Sequence, residues 1–324
     1  MRCFEQQIWK EDEYDYKAAY GFIPDIHAYI HEDDVNRDCM LVVPGGGYCM
    51  CVPPEGEVVG KVFYEQGMNV FVLTYTTDIT FSVPLKRQPM EDISRAVRFI
   101  RNNAKQYGIE GKKLIICGFS AGAHVCGSLA VHFNDIVDRD PYLNRISNRP
   151  DGVILSYPVI TAGVFTHDSS IEALLGKEPS NEELEYFSLE KNVSEDTPPC
   201  FIWQTATDDL VPVENSYMFA EALRKKGVMY AHYVFPSGFH GLSVVNRDFF
   251  EGRFGEPYTM RQVFAAVDAV ISGKGIDVSV ERTKELEIQF GKDAQEPPQV
   301  EFDEELIREV GVWPRLAQSF ISRL

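Results

Sequence analysis

The sequence of 324 residues lacks most features of membrane, secreted and nucleic-acid-binding proteins. No apolar run approaches the roughly 20 residues of a membrane-spanning helix, so no membrane partner is expected. Basic residues are few: 31 Lys and Arg against 49 Asp and Glu give a net charge of −18, which disfavours nucleic acid as a partner. The first residues lack the apolar region of a signal peptide, and we expect a cytoplasmic location.

Cofactor and metal motifs are also missing. Seven cysteines are present, but Cys49 and Cys51 are one residue apart instead of two, and no second pair completes a zinc site. Cys117, Cys126 and Cys200 lie in apolar segments, where a reduced thiol behaves as a small hydrophobic group. No Gly-Lys-Ser/Thr follows the glycines at 45–47, which excludes a P-loop. The sequence therefore predicts reduced thiols, no metal and no cofactor.

Apolar, β-branched runs alternate with helical patterns along most of the chain. The predicted strands are 26–31 at an edge, then 39–43, 69–75, 114–117, 152–157, 200–206 and 231–235. The predicted helices are 57–66, 89–108, the segment after residue 122, 171–175, 214–226 and 313–324. This alternation predicts an α/β fold, with a mostly parallel sheet covered by helices on both faces. We expect a single domain spanning residues 1–324.

The most informative stretch is Gly118-Phe-Ser-Ala-Gly122, which lies between a predicted strand and a predicted helix of small residues. Gly-x-Ser-x-Gly in this context is typical of a nucleophile elbow, a sharp turn that lifts the serine hydroxyl clear of the sheet. Side chains at Gly118 and Gly122 would clash where strand and helix meet. The pattern predicts that Ser120 is a catalytic nucleophile.

Three glycines follow the strand at 39–43, in Pro44-Gly-Gly-Gly-Tyr48. Glycines after a strand let the backbone approach a ligand closely and direct amide N–H groups at it. A flexible turn is the alternative interpretation. Together with the elbow, the loop resembles the second half of an oxyanion hole.

Two further polar residues follow later strands. Asp208 follows the strand at 200–206, and His240 follows the strand at 231–235. Parallel sheets bind ligands at the carboxyl ends of their strands, and the order Ser…Asp…His is that of α/β-hydrolases. Asp209 competes with Asp208 for the role of the acid, and Asp208 is favoured because it comes first after the strand. His167, in a polar segment, is a secondary candidate for a catalytic role.

These motifs, with Arg149-Pro-Asp-Gly-Val153, Asp208-Asp-Leu-Val-Pro212 and Phe235-Pro-Ser-Gly-Phe-His-Gly241, resemble the acetylesterase and acetyl-xylan-esterase-like branch of the α/β-hydrolases. Members are often labelled esterase/lipase or feruloyl-esterase-like. The resemblance covers about residues 25–243 and the last helix. It implies an α/β-hydrolase fold and Asp208 as the triad acid. It also implies an oxyanion hole made by the amides of Gly46, Gly47 and Ala121.

The sequence departs from the family at two positions. Pro44 stands where relatives frequently have His, and Ala123 stands where they often have Gly. Neither change removes a reacting group.

The expected function is that of a serine carboxylesterase acting on a small-molecule ester through Ser120, His240 and Asp208. By resemblance, the substrate is a short acyl ester, such as an acetylated sugar or xylo-oligosaccharide. Tyr48, beside the glycine loop, is predicted to bind substrate and narrow the acyl site. Two alternatives are a serine peptidase of the prolyl-oligopeptidase type and a non-catalytic binding protein with a hydrolase fold. The first normally carries a propeller domain, for which this chain has no repeats.

Residues 245–311 break the alternating pattern and form an insertion before the last helix. Thr259 is predicted to cap a helix with Met260, Val263, Phe264, Val267 and Ile271 on its apolar stripe. Residues 276–280 alternate as a strand does, and 302–310 suggest a second helix. Such apolar faces need a partner. The insertion is therefore expected to be a lid, a homodimer contact or a peripheral pack against the sheet.

Overall fold

A computed structural model describes residues 1–274, 276, 278–291, 294 and 300–324. Eight strands of the described chain form one sheet: β1 (Arg2–Gln7), β2 (Asp25–Ile30), β3 (Cys39–Val43), β4 (Asn69–Thr74), β5 (Leu114–Phe119), β6 (Gly152–Ser156), β7 (Cys200–Thr205) and β8 (Tyr230–Phe235). Their order is β1-β2-β4-β3-β5-β6-β7-β8. The strand β2 is antiparallel to both its neighbours, and the pairs from β4 to β8 are parallel. The predicted mostly parallel sheet is confirmed.

The central strands are apolar along their whole length because both faces of the sheet are covered. Successive side chains of a strand point to opposite faces. In β3, Leu41 therefore packs into one hydrophobic core, and Met40 and Val42 pack into the other. All three side chains are fully buried.

Helices follow most of the strands. They are α1 (Glu57–Glu65), α2 (Gln88–Asn102), α3 (Ala121–His132), α4 (Asp168–Leu175), α5 (Asn181–Tyr186), α6 (Glu214–Lys226), α7 (Arg247–Phe250), α8 (Arg261–Ile271), α9 (Val280–Phe290), α10 (Glu304–Glu309) and α11 (Trp313–Ile321). The apolar residues of α2, α3 and α6 fill one core, and those of α1 and α11 fill the core on the opposite face. Helices therefore cover both faces, as predicted. None of the helices in the described ranges is long and apolar enough to cross a membrane.

The amino-terminal region differs from the prediction. The strand β2 is not at the edge, because β1 pairs along its outer side. The β1 side chains are mostly polar and exposed, so this strand carries no hydrophobic signal. The predicted end of the second helix at Gly108 is also wrong, since α2 ends at Asn102 and turns lead from there to Gly108.

The segment 245–311 contains four helices in its described part, α7 to α10. The predicted helices near 260–271 and 302–310 are present as α8 and α10. The Thr259 hydroxyl has no hydrogen-bond partner among the described residues and does not cap α8. The predicted strand at 276–280 is wrong, because Ser279 caps α9 and Val280 begins it. Residue 277 of that prediction lies outside the described residues.

The helices α8 and α9 pack on each other and on the body of the fold. Val263, Val267 and Leu286 form a small hydrophobic cluster with Ile79, which lies in the loop after β4. The Gln262 side chain accepts a hydrogen bond from the Thr77 amide at 3.0 Å. These contacts attach the pair of helices to the carboxyl edge of the sheet, where β4 ends.

Candidate active site

Ser120 lies in a strained turn between β5 and α3. Its backbone has φ +51° and ψ −119°, a conformation that residues other than glycine rarely adopt. A Cβ atom on Gly118 would lie 2.3 Å from the Gly122 carbonyl oxygen, and a Cβ on Gly122 would lie 2.2 Å from the Val43 carbonyl oxygen. Only glycine fits at both positions, so Gly-x-Ser-x-Gly is the sequence that this turn requires.

The structure brings the hydroxyl of Ser120 to the ring of His240. The Ser120 Oγ lies 2.8 Å from His240 Nε2, and the other ring nitrogen, Nδ1, lies 2.9 Å from Asp208 Oδ2. Asp209 instead accepts the backbone amide of His240 at 2.9 Å. Of the two competing carboxylates, Asp208 contacts the imidazole and Asp209 shapes the histidine loop.

The environment of Asp208 keeps its carboxylate charged. Burial tends to raise the pKa of Asp208, but hydrogen bonding and charge from His240, with the amides of Val211 and Leu210, outweigh burial and lower the pKa below its usual range. The two amides donate to Asp208 Oδ1 at 2.9 and 3.0 Å. A fixed anion beside Nδ1 selects the tautomer that leaves Nε2 free to accept the serine proton.

The glycine loop lies directly beside Ser120. A Cβ atom on Gly45 would be 2.9 Å from the Ser120 Cβ. Gly46 and Gly47 have φ of +124° and +63°, which glycine adopts without strain. Among the hydrogen bonds of the described residues, none uses the amide N–H of Gly46, Gly47 or Ala121. Three backbone N–H groups in the glycine loop and at the start of α3 therefore remain without a partner among the described residues.

A buried carboxylate that the sequence did not single out holds this loop. Glu55 accepts the Gly45 amide at 2.6 Å and the Tyr157 hydroxyl at 2.6 Å. Its burial raises its pKa, and the two hydrogen bonds only partly offset that effect. The Tyr157 ring packs edge-on against His240 with 4.9 Å between ring centroids. Glu55 thus links the glycine loop to Tyr157, the aromatic residue that packs against His240.

Tyr48 is placed differently from its prediction. Only 1% of its side chain is exposed, and its hydroxyl lies 2.7 Å from His124 Nδ1 inside the core. The other His124 ring nitrogen bonds the Phe187 carbonyl oxygen at 2.9 Å. This geometry speaks against the predicted substrate-binding role, because the Tyr48 ring faces the interior below α3. An aromatic residue after a glycine loop predicts burial as readily as ligand contact.

His167 lies next to the candidate site but not in the hydrogen-bonded chain. It directly precedes α4, and its Nδ1 lies 2.7 Å from the Ser170 hydroxyl. That hydroxyl would be 3.8 Å from a Cβ on Gly47. Burial and, secondarily, the charge of His240 lower the pKa of His167. The pair of His167 and Ser170 therefore borders the site on the side of the glycine loop.

Comparison with known proteins gives one family model and several curated relatives that match this chain. The BD-FAE family model matches residues 25–223. The chain is 65% identical over 270 residues, or 83% of its length, to endo-1,4-beta-xylanase B of Butyrivibrio fibrisolvens, and 32% identical over 208 residues, or 61% of its length, to an acetylxylan esterase of Xylanibacter ruminicola. It spans 42% and 40% of these two curated relatives. Both names therefore describe longer proteins.

Solved structures match over nearly their whole length. The acetyl ester-xyloside bifunctional hydrolase of Caldicellulosiruptor lactoaceticus is 32% identical, with a TM-score of 0.71, over 84% of this chain and 97% of that one. A carboxylesterase of Lactobacillus plantarum, 23% identical, has a TM-score of 0.62 over 84% of this chain and 95% of that one. The second match supports the fold alone.

Proposed function

Because the chain belongs to the BD-FAE family of carboxylic ester hydrolases, within the α/β-hydrolase superfamily, we propose that it is a serine carboxylesterase that removes short acyl groups, above all acetyl groups, from sugars or xylo-oligosaccharides. The observation that carries the proposal is the hydrogen-bonded chain from Ser120 through His240 to Asp208. A serine hydroxyl, an imidazole and a carboxylate in this order perform acyl transfer.

In the proposed mechanism, Ser120 Oγ attacks the carbonyl carbon of the ester while its proton passes to His240 Nε2. Asp208 stabilises the imidazolium that forms and keeps the ring oriented. His240 then donates the proton to the departing alkoxide, which leaves an acyl group on Ser120. A water molecule then attacks the acyl carbon while its proton passes to His240. The bond between that carbon and Ser120 Oγ breaks as His240 returns the proton to Oγ, which releases the acid and restores the free enzyme.

The tetrahedral intermediate carries its negative charge on the former carbonyl oxygen. We assign the stabilisation of this oxyanion to the amides of Gly46, Gly47 and Ala121, whose N–H groups are otherwise unused. Ala121 is the first residue of α3, so the positive end of the helix dipole adds to its effect. Donors fixed in advance at the site of developing charge commonly provide the largest part of enzymatic rate acceleration.

The preference for acetyl groups and for sugar alcohols is supported by the names of the relatives. An acetylxylan esterase and an acetyl ester-xyloside hydrolase each share 32% identity with this chain. Tyr48 no longer supports a narrow acyl site, because its ring is buried.

The proposed function is tested by measuring acetate release from acetylated xylo-oligosaccharides, beside hydrolysis of 4-nitrophenyl acetate, butyrate and octanoate and of a prolyl amide. We expect kcat/KM to be highest for the acetyl esters. Faster cleavage of the prolyl amide would instead indicate a peptidase. Complete inactivity on every ester, in a folded preparation, would indicate a non-catalytic binding protein.

A further inference from the structure

A groove of about 440 Å³ lies between α4, the loop at 80–82 and the first turns of α9. It is called here the α4–α9 groove. Its walls include the hydroxyl side chains of Thr80, Ser82 and Ser169 and the ring of Phe81. The volume falls in the range of small-molecule sites, roughly 300–1,000 Å³.

The groove adjoins the candidate active site through α4. Ser169 faces the groove, and its hydroxyl lies 3.4 Å from His167 Nε2. The same imidazole contacts the Ser170 hydroxyl, which borders Gly47. A ligand that extends from the glycine loop along the first turn of α4 therefore enters the α4–α9 groove.

The other wall belongs to the segment 245–311. Arg282 of α9 donates two hydrogen bonds to the Ile79 carbonyl oxygen, at 2.9 and 2.7 Å, and its guanidinium lies over the Phe81 ring at 5.0 Å. Cys49 and Met50, which continue the glycine loop, pack against the hydrophobic cluster of α8 and α9. The insertion thus forms a fixed wall beside the loop that carries the proposed oxyanion donors.

The chemistry of the groove suits a neutral ligand with many hydroxyl groups. Two of its carboxylates have basic partners within the groove: Arg282 lies 2.7 Å from Glu285, and Lys177 lies 4.0 Å from Glu172. These two pairs offset each other, and Glu281 is the remaining charged side chain of the lining, so the groove does not favour a strongly anionic ligand. The hydroxyl groups of Ser82 and Ser169 and the carboxylate of Glu281 line the groove and are suited to hydrogen bonds with a polyol, and the part of the Phe81 ring not covered by Arg282 adds an apolar surface.

We propose that the α4–α9 groove binds the sugar units that adjoin the acetylated residue of the substrate, with the insertion supplying one wall of this subsite. The inference rests on the proposed function and extends it, since it assigns the alcohol part of the ester to a defined surface. For the segment 245–311, expected from the sequence to be a lid, a dimer contact or a peripheral pack, the proposal predicts a role in specificity: its wall of the groove favours oligosaccharide esters over small esters.

The test compares Glu281→Trp, which fills the groove from α9, with Glu287→Trp as the matched control. Both glutamates are exposed on the same helix, and Glu287 does not line the groove. The measured quantity is the ratio of kcat/KM for acetylated xylotriose to kcat/KM for 4-nitrophenyl acetate. In Glu281→Trp we expect this ratio to fall at least about tenfold, the scale of lost specific contacts. The Glu287→Trp variant is expected to keep the wild-type ratio.

Ser169→Trp fills the groove from the opposite wall and is expected to lower the ratio in the same way, mainly through a higher KM for the oligosaccharide. An unchanged ratio in both groove variants, with hydrolysis of 4-nitrophenyl acetate intact, overturns the subsite and leaves the proposed function standing. An equal loss in Glu287→Trp also overturns it. If the wild-type protein hydrolyses neither ester, the proposed function itself fails.

Discussion

Two histidines, His240 at the candidate site and His124 in α3, have both ring nitrogens hydrogen-bonded, but their surroundings differ. His240, at the carboxyl edge of the sheet, bridges a serine hydroxyl and a carboxylate. His124, in the interior, bridges the Tyr48 hydroxyl and a backbone carbonyl oxygen. Both rings have partners for both nitrogens. Only His240 has an anion that stabilises a charged ring.

The difference shows that hydrogen bonding alone does not make a histidine fit for proton transfer. Burial lowers the pKa of His124 to about 4, so its ring stays neutral at pH 7 and serves the packing of α3. At the edge, the Asp208 carboxylate lies beside the ring of His240, where it stabilises the imidazolium that the proposed mechanism forms. The chemistry of the partner separates the proposed base from the structural histidine.

The largest expected effect comes from removing that anion. Asp208→Asn places an amide opposite His240 Nδ1 and favours the wrong tautomer, so we expect kcat to fall by roughly 10³- to 10⁴-fold. Asp209→Asn is the matched control, because among the described residues the Asp209 side chain hydrogen-bonds to the backbone amide of His240 and not to its ring. Steady-state hydrolysis of 4-nitrophenyl acetate measures both. A greater loss in Asp209→Asn would show that Asp209, and not Asp208, is the acid of the triad.

The interior histidine is tested through stability. The unfolded chain protonates His124 near pH 6.5, whereas the folded chain does so near pH 4. The unfolded state therefore binds more protons in this window, and the free energy of unfolding falls as the pH drops through it, by about 3 kcal/mol from this residue. Denaturant unfolding of wild type and His124→Gln, from pH 7 to pH 4.5, is expected to show a weaker pH dependence in the variant. Parallel curves would contradict this account of His124.

Glu55 supports the edge site without being part of the hydrogen-bonded chain. In Glu55→Leu the Gly45 amide and the Tyr157 hydroxyl lose their shared acceptor, and the loop carrying Gly46 and Gly47 loses its anchor. We expect kcat to fall about 10- to 100-fold with little change in KM, because small displacements of the oxyanion donors act on the transition state. Glu55→Gln retains an acceptor and is expected to recover most of the loss. Failure of this rescue would assign a different role to Glu55.

The smallest effect is expected at Tyr48. Tyr48→Phe removes the hydrogen bond to His124 Nδ1 and is expected to lower the free energy of unfolding by about 1 kcal/mol. The ratio of kcat/KM for 4-nitrophenyl acetate to that for the butyrate is expected to stay at its wild-type value, since the ring faces the core. A changed acyl preference would restore the role that the sequence suggested.

The parts of the molecule that the sequence predicted correctly have a local physical cause. Ser120 needs a glycine two residues before it and another two residues after it, because any Cβ there collides with backbone. Strands such as β3 are buried on both faces, so their sequences are uniformly apolar. Both constraints act within a few residues and are therefore visible in the pattern.

The parts that could not be predicted depend on contacts between distant segments. Glu55 approaches Tyr157 across 102 residues, and nothing near Glu55 in the chain signals this contact. The strand β1 is polar and is defined by its pairing with β2. At 276–280, alternating apolar residues suggest a strand, but the Ser279 cap and the packing of Leu286 on α8 favour a helix.

The most direct test of the central claim is covalent labelling of Ser120 by a fluorophosphonate, located by peptide mass spectrometry, together with 4-nitrophenyl acetate hydrolysis by Ser120→Ala. In the wild type we expect a single adduct, on Ser120. Because the members of a triad act as a unit, we expect at least about a thousandfold loss of turnover in the folded variant. Labelling of a different residue, or near-normal hydrolysis by Ser120→Ala, would contradict the assignment of Ser120 as the nucleophile.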